Sequence, residues 1–155
     1  MISQFYVDAV TQSRNIHLAQ VVSGRWGNSA GNVAIFETAL DMGRMTGKTK
    51  AAFDIINNAK GTLNIYVACT KQMAMDEAIR HGIDRGADNV ILLSRKQDLR
   101  TIFRGHRIEY QAINLIFDEC STTMDERYEL AKTLTICMRS HLHPFPYIHI
   151  IRLGM

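Results

Sequence analysis

Two short stretches of this sequence and a scatter of arginines carry residue types that can do chemistry together. The first is Gly43-Arg44-Met45-Thr46-Gly47-Lys48-Thr49, where a glycine-containing turn runs into a stretch with helical spacing. Such a turn presents backbone N–H groups, and the helix that follows adds its positive end; both favour phosphate oxygens. At this spacing Lys48 reaches β- and γ-phosphates, while the Thr49 hydroxyl is placed to ligate Mg²⁺. A full phosphate-loop pattern wants glycine five residues before Gly47. That position is Met42, and Gly43 comes one residue late, which implies a shortened or differently wound loop. The plain alternative is a helix start whose Lys48 and Lys50 are merely solvated.

The second stretch, Ile113-Asn114-Leu115-Ile116-Phe117-Asp118-Glu119, is an apolar run ending in adjacent carboxylates. At the carboxyl end of a strand Asp118 can hold Mg²⁺ beside Thr49. Glu119 is then the general base that polarises an attacking water. In isolation, Asp-Glu could equally open a solvated loop. The third feature is the arginines, which can stabilise the charge of phosphoryl transfer. Arg152 is expected at a strand end beside the γ-phosphate and Arg44 in the loop itself. Arg104, Arg107 and Arg139 are candidates for a neighbouring subunit or nucleic acid, each with a plain surface role as the alternative.

These residues need elements to position them. Ile2–Val22 has apolar residues at roughly helical spacing and reads as one or two helices, broken by the Gly/Ser/Asn loop at 23–29. Asn32–Met42 is apolar with a period that fits helix or strand. Lys48–Asn58, Lys71–His81 and Met124–Ser140 read as helices. Thr62–Cys69, Asn89–Ser94, Ala112–Phe117 and Tyr147–Leu153 read as strands, and Asp98–Glu109 as irregular with room for an edge strand. Strands that are apolar throughout, alternating with helices, predict an α/β fold. It is a mostly parallel open sheet of about five strands with helices on both faces. Ligands bind at the carboxyl ends of such strands.

GRMTGKT and INLIFDE resemble the Walker A and Walker B elements of P-loop NTPases with an added catalytic glutamate. Within that class the loop is similar to those of viral DNA-packaging terminases, often Arg-Gln-x-Gly-Lys-Thr, with Met45 where glutamine is frequent. Phe103-Arg104-Gly105-His106-Arg107 and the closing His149-Ile150-Ile151-Arg152-Leu153-Gly154 are similar to stretches of those proteins and of helicase-like motors. The resemblance covers residues 33 to 155 and implies a RecA-like core. It further implies ATP and Mg²⁺ as ligands, Gly43 through Thr49 as the nucleotide-binding loop, Thr49 and Asp118 as metal ligands, and Lys48, Glu119 and Arg152 as catalytic residues. DNA is a candidate partner, and viral DNA packaging, in the host cytoplasm, a candidate process. No coupling motif follows Arg152, so a homo-oligomer, a partner subunit or a part of the protein outside this chain is expected to supply whatever couples ATP to work. Two other readings keep the fold: a nucleotide-dependent regulatory or binding module with little turnover, and a small phosphotransferase with 95–107 as its lid.

Composition bounds the rest. The 155 residues, 46% hydrophobic and 21% charged, fit one domain with a real core, residues 1–31 forming an N-terminal segment and 32–155 the nucleotide-binding core. Disordered and disulfide-scaffold classes are excluded. A net charge of +3 is compatible with a polyanionic partner without pointing to one. No apolar run approaches ~18 residues and the N-terminus lacks a secretion pattern, so no membrane role is expected and a cytoplasmic location is. The three cysteines have no CxxC pair and read as free buried thiols. His141, His143 and His149 straddle prolines and a strand start, a poor metal set.

Overall fold

The computed structural model describes residues 2–25, 29–30, 32–43, 47–84, 86–98, 101–138 and 145–154. Among them run helix α1 (Ile2–Val22), strands β1 (Ser29–Ala30) and β2 (Val33–Leu40), helix α2 (Lys48–Asn57), strand β3 (Leu63–Ala68) and helix α3 (Lys71–Arg80). Strands β4 (Val90–Ser94) and β5 (Ala112–Asp118), helix α4 (Met124–Cys137) and strand β6 (Tyr147–Leu153) complete the order. The sheet runs β1-β2-β6-β5-β3-β4. Its five longer strands are all parallel and only the two-residue β1 pairs antiparallel, on β2. This is the open, mostly parallel α/β sheet with helices on both faces that the alternation of apolar strands and helices predicts, and it is consistent with the RecA-like core that the resemblance implies.

Burial on both faces explains why the strands lack polar alternation. All residues of β3 and β5 are buried. On one face Tyr6 and Val10 of α1, Ala52, Phe53 and Ile56 of α2 and Ala74 and Ala78 of α3 pack on Tyr66, Ile116, Ile151 and Leu153. On the other, Leu130, Ala131 and Leu134 of α4, joined by Phe103 and Ile108, pack on Ile35, Ile65, Leu115 and Ile150. Each such aliphatic side chain contributes about 1.5–3 kcal/mol when fully buried. Capping sets two helix starts: the Thr70 hydroxyl accepts from Met73 N–H at 3.1 Å, and that of Thr123 from Glu126 N–H at 3.1 Å.

The ambiguous segment resolves as strand. Val33–Leu40 pairs with β6 from Ala34↔Tyr147 to Leu40↔Leu153, and this pairing overrides its helical spacing. Ile2–Val22 is one helix, and the loop after it contributes β1. The edge strand considered within 98–109 is absent among the described residues, where Ile108 makes only an isolated bridge to Met138. Helix α4 stops at Cys137, with Met138 extended.

The register sets three strand ends level. Leu40, Leu153 and Asp118 are cross-strand neighbours. One further bond at each junction extends the ladder: Gly154 N–H to Leu40 O at 2.9 Å, and Glu119 N–H to Leu153 O at 2.9 Å. The carboxyl ends of β2, β6 and β5 therefore form one rim.

Candidate active site

The start of α2 faces that rim, with Lys48 reaching Asp41 and Glu119. Gly47 is the helix N-cap in the left-handed region, φ 83°, with no side chain capping the first-turn amides. First-turn amides lack intrahelical partners, and a helix N-terminus of this kind favours an anion. A Cβ on Gly47 would lie 3.2 Å from Ser3 Cβ and 3.3 Å from Ser3 N, so α1 packs close against the turn. Tyr6 also reaches it, its hydroxyl accepting from Met42 N–H at 2.9 Å.

Lys48 follows Gly47 and is 5% exposed. Its ammonium donates to Asp41 Oδ1 at 2.8 Å and Gly43 O at 2.7 Å, and pairs with Glu119 Oε1 at 2.6 Å. All three protons are engaged. Burial works to lower the Lys48 pKa, but the hydrogen bonds and charges of Asp41 and Glu119 outweigh it and hold it above the ordinary value. The same lysine, and the Gly43 N–H bonded to Asp41 Oδ1 at 2.9 Å, hold Asp41 below the usual carboxylate range.

Asp118 is 4% exposed at the end of β5. Oδ2 accepts from the Tyr66 hydroxyl at 2.6 Å, whereas Oδ1 is buried with no hydrogen-bond partner among the described residues. Burial raises the Asp118 pKa; hydrogen bonding by Tyr66 and Thr49 pulls it back, and the charges of Glu119 and Glu77 add to the rise. Burial and the same aspartate push the Tyr66 phenol far up, so it stays a donor. A buried carboxylate oxygen without a donor, with the Thr49 hydroxyl acting on the same carboxylate, is a donor set that fits a hard cation.

Glu119 sits in the left-handed region at φ 51°, unusual for a side-chain-bearing residue and costing about 1–2 kcal/mol. Its backbone is tied on both sides, N–H to Leu153 O and carbonyl to the Cys69 thiol at 3.2 Å. Gly154 leaves room for its carboxylate: a Cβ there would lie 2.7 Å from Oε2. An open cleft of about 340 Å³ borders the site, lined by the 47–50 turn, by Glu119, and from α3 by Glu77, Arg80 and His81.

Gly43, Gly47, Lys48, Thr49, Asp118 and Glu119 thus come together. Arg44, Met45, Thr46, Arg139, His141 and His143 lie outside the described residues. Arg152 does not join the cluster. Its cross-strand partner is Phe117, which faces α4, whereas Asp118 faces α2. Arg152 pairs instead with Glu37 Oε1 at 3.6 Å, a carboxylate that Arg127 of α4 holds at 2.8 Å. Arg104 and Arg107 are exposed. His149 is buried among Thr38 and Arg14, and among the described residues no group of three His, Cys, Asp or Glu side chains is placed to hold a metal. The cysteines are free, Cys120 and Cys137 buried and Cys69 partly so. No helix among the described residues is long and apolar enough to cross a membrane.

Asp41, Tyr66, Gly154 and the α3 wall have no motif to announce them. A usable signal exists for Tyr66: a phenol inside an otherwise apolar strand needs a buried acceptor. Compared with known protein families, curated proteins and solved structures, the chain finds no match.

Proposed function

We propose that this chain binds Mg-ATP and hydrolyses it as a small terminase-like P-loop ATPase. The observation that supports this most is the convergence of Lys48, Thr49, Asp118 and Glu119 where α2 starts and the β2, β5 and β6 ends meet. The chemistry is hydrolysis of the γ-phosphoryl group. Water attacks the γ-phosphorus, the new O–P bond forms as the bond to the ADP oxygen breaks, and the water's proton passes to Glu119. Lys48 and the first-turn amides of α2 neutralise charge on the phosphates. Thr49 and Asp118 would hold Mg²⁺, which when bound offsets negative charge on the β- and γ-oxygens. Without nucleotide, Lys48 pairs with Asp41 and Glu119; an incoming phosphate takes over the lysine and frees the glutamate to act as base. DNA is the proposed partner, on the resemblance of the loop alone.

A second reading, a nucleotide-dependent binding module with little turnover, is favoured by one observation: Lys48 holds the candidate base at 2.6 Å. One experiment separates the two. ATP binding and hydrolysis are measured for wild type, Lys48→Ala and Glu119→Gln, with and without DNA, with circular dichroism to verify folding. The ATPase reading expects binding lost in Lys48→Ala, and binding kept with turnover lost in Glu119→Gln. Binding indifferent to Lys48 would refute both readings. Tight binding with negligible turnover in wild type, unchanged in Glu119→Gln, would select the module, and DNA-stimulated turnover would identify the partner.

A further inference from the structure

Tyr66 is placed in the middle of β3, 2% exposed, its ring against Phe53 of α2 at a 4.6 Å centroid distance. Its hydroxyl donates to Asp118 Oδ2 at 2.6 Å. A phenol can donate only one proton. Tyr66 therefore holds one oxygen of a carboxylate on which the Thr49 hydroxyl also acts, and the other, Oδ1, is buried with no hydrogen-bond partner among the described residues. A buried carboxylate oxygen left without a donor costs about 1–3 kcal/mol or more, so its persistence calls for a reason. Phe53 and the neighbouring strands fix the ring, and the ring fixes which oxygen is occupied.

We propose that Tyr66 is a positioning residue for the nucleotide-bound cation: by holding Oδ2 it fixes the rotation of the Asp118 carboxylate and reserves Oδ1 for the cation or its water. This rests on the nucleotide reading above. Groups that orient a metal ligand through its second oxygen typically contribute about 10–100-fold to metal affinity. Tyr66 is buried within β3 and does not line the cleft beside the start of α2, so its loss acts on the cation and spares nucleotide binding that does not need one.

The test uses Mn²⁺ as probe, titrated by electron paramagnetic resonance against the full chain with a non-hydrolysable ATP analogue. Nucleotide affinity is measured separately in EDTA. Tyr66→Phe keeps the ring and removes only the donor. The expected result is Mn²⁺ affinity about 10-fold weaker with metal-free nucleotide affinity unchanged. Tyr66→4-aminophenylalanine, which restores a donor of the same reach, recovers most of the loss and keeps the question answerable if the phenylalanine variant folds poorly. Mn²⁺ affinity within two-fold of wild type in Tyr66→Phe would overturn the inference. So would an equal fall in metal-free nucleotide affinity, which marks a packing role, or no recovery with the amino analogue. Failure of the wild-type chain to bind the analogue at all would refute the nucleotide reading, and this inference with it.

Discussion

Protonation of His149 is expected to destabilise the protein below neutral pH, by an amount the geometry bounds. The imidazole is fully buried under α1. Arg14 Nε donates to Nδ1 at 3.4 Å, so Nδ1 is the acceptor and the ring proton lies on Nε2, where it is donated to Thr38 Oγ1 at 2.8 Å. Thr38 is in turn 2.5 Å from the Ser13 hydroxyl. A second ring proton would have to occupy Nδ1, opposite a guanidinium that cannot accept it. Burial first, then the charges of Arg14 and His17, put the His149 pKa well below 6.5. In the unfolded chain the ring titrates near 6.5, so between that value and the folded-state pKa the unfolded state binds about one more proton. The stabilisation is complete above pH 6.5 and falls as pH drops through it, by at most about 1.4 kcal/mol at pH 5.5. For a chain of this length that is about 3–6 °C in Tm. The assay is thermal unfolding by circular dichroism at pH 7.5 and 5.5, for wild type and His149→Gln. The glutamine loses some stability at both values but cannot titrate, so the gap between the two proteins narrows by those 3–6 °C on acidification. Parallel shifts, leaving the gap constant, would refute the assignment of a neutral, Arg14-bonded His149.

Two further outcomes concern the rim. Gly154→Ala places a Cβ 2.7 Å from Glu119 Oε2 at φ +89°; left-handed backbone costs alanine about 1–2 kcal/mol. Denaturant unfolding should register that loss, and ATP turnover should fall further than ATP affinity because the glutamate carboxylate must move; unchanged turnover would count against Glu119 acting from this position. Asp41→Asn keeps the acceptor for Gly43 N–H but removes a charge that holds Lys48, so calorimetry should show nucleotide binding about two- to five-fold tighter, with weaker binding the contrary result.

Much of the fold was legible because parallel strands covered on both faces are mostly apolar without alternation, and β3, β5 and β6 read that way from their residues. Val33–Leu40 was not, since a short apolar run fits either period and only pairing with β6 decides it. The two-residue β1 carries no pattern of its own. Arg152 misled because it stands one residue before the strand end, while period-two alternation turns it toward α4 and Glu37, away from Lys48. Asn64, Asn114 and His149 interrupt apolar strands at facing registers, a polar row whose purpose emerges only with Arg14 of α1 laid across it.

The sequence by itself determined the chemistry on offer: a glycine turn feeding Lys48-Thr49 into a helix, and an apolar strand delivering Asp118-Glu119. Those are local properties, carried by residue type and by the few residues on either side. Which groups meet was decided by tertiary structure. β6, the last strand in the chain, lies between β2 and β5, and its register sets Leu40, Leu153 and Asp118 level. That puts Glu119 within 2.6 Å of Lys48 and, through β3, Tyr66 within 2.6 Å of Asp118. Contacts between residues 52 to 71 positions apart depend on strand order and register, which come from the packing of the whole core.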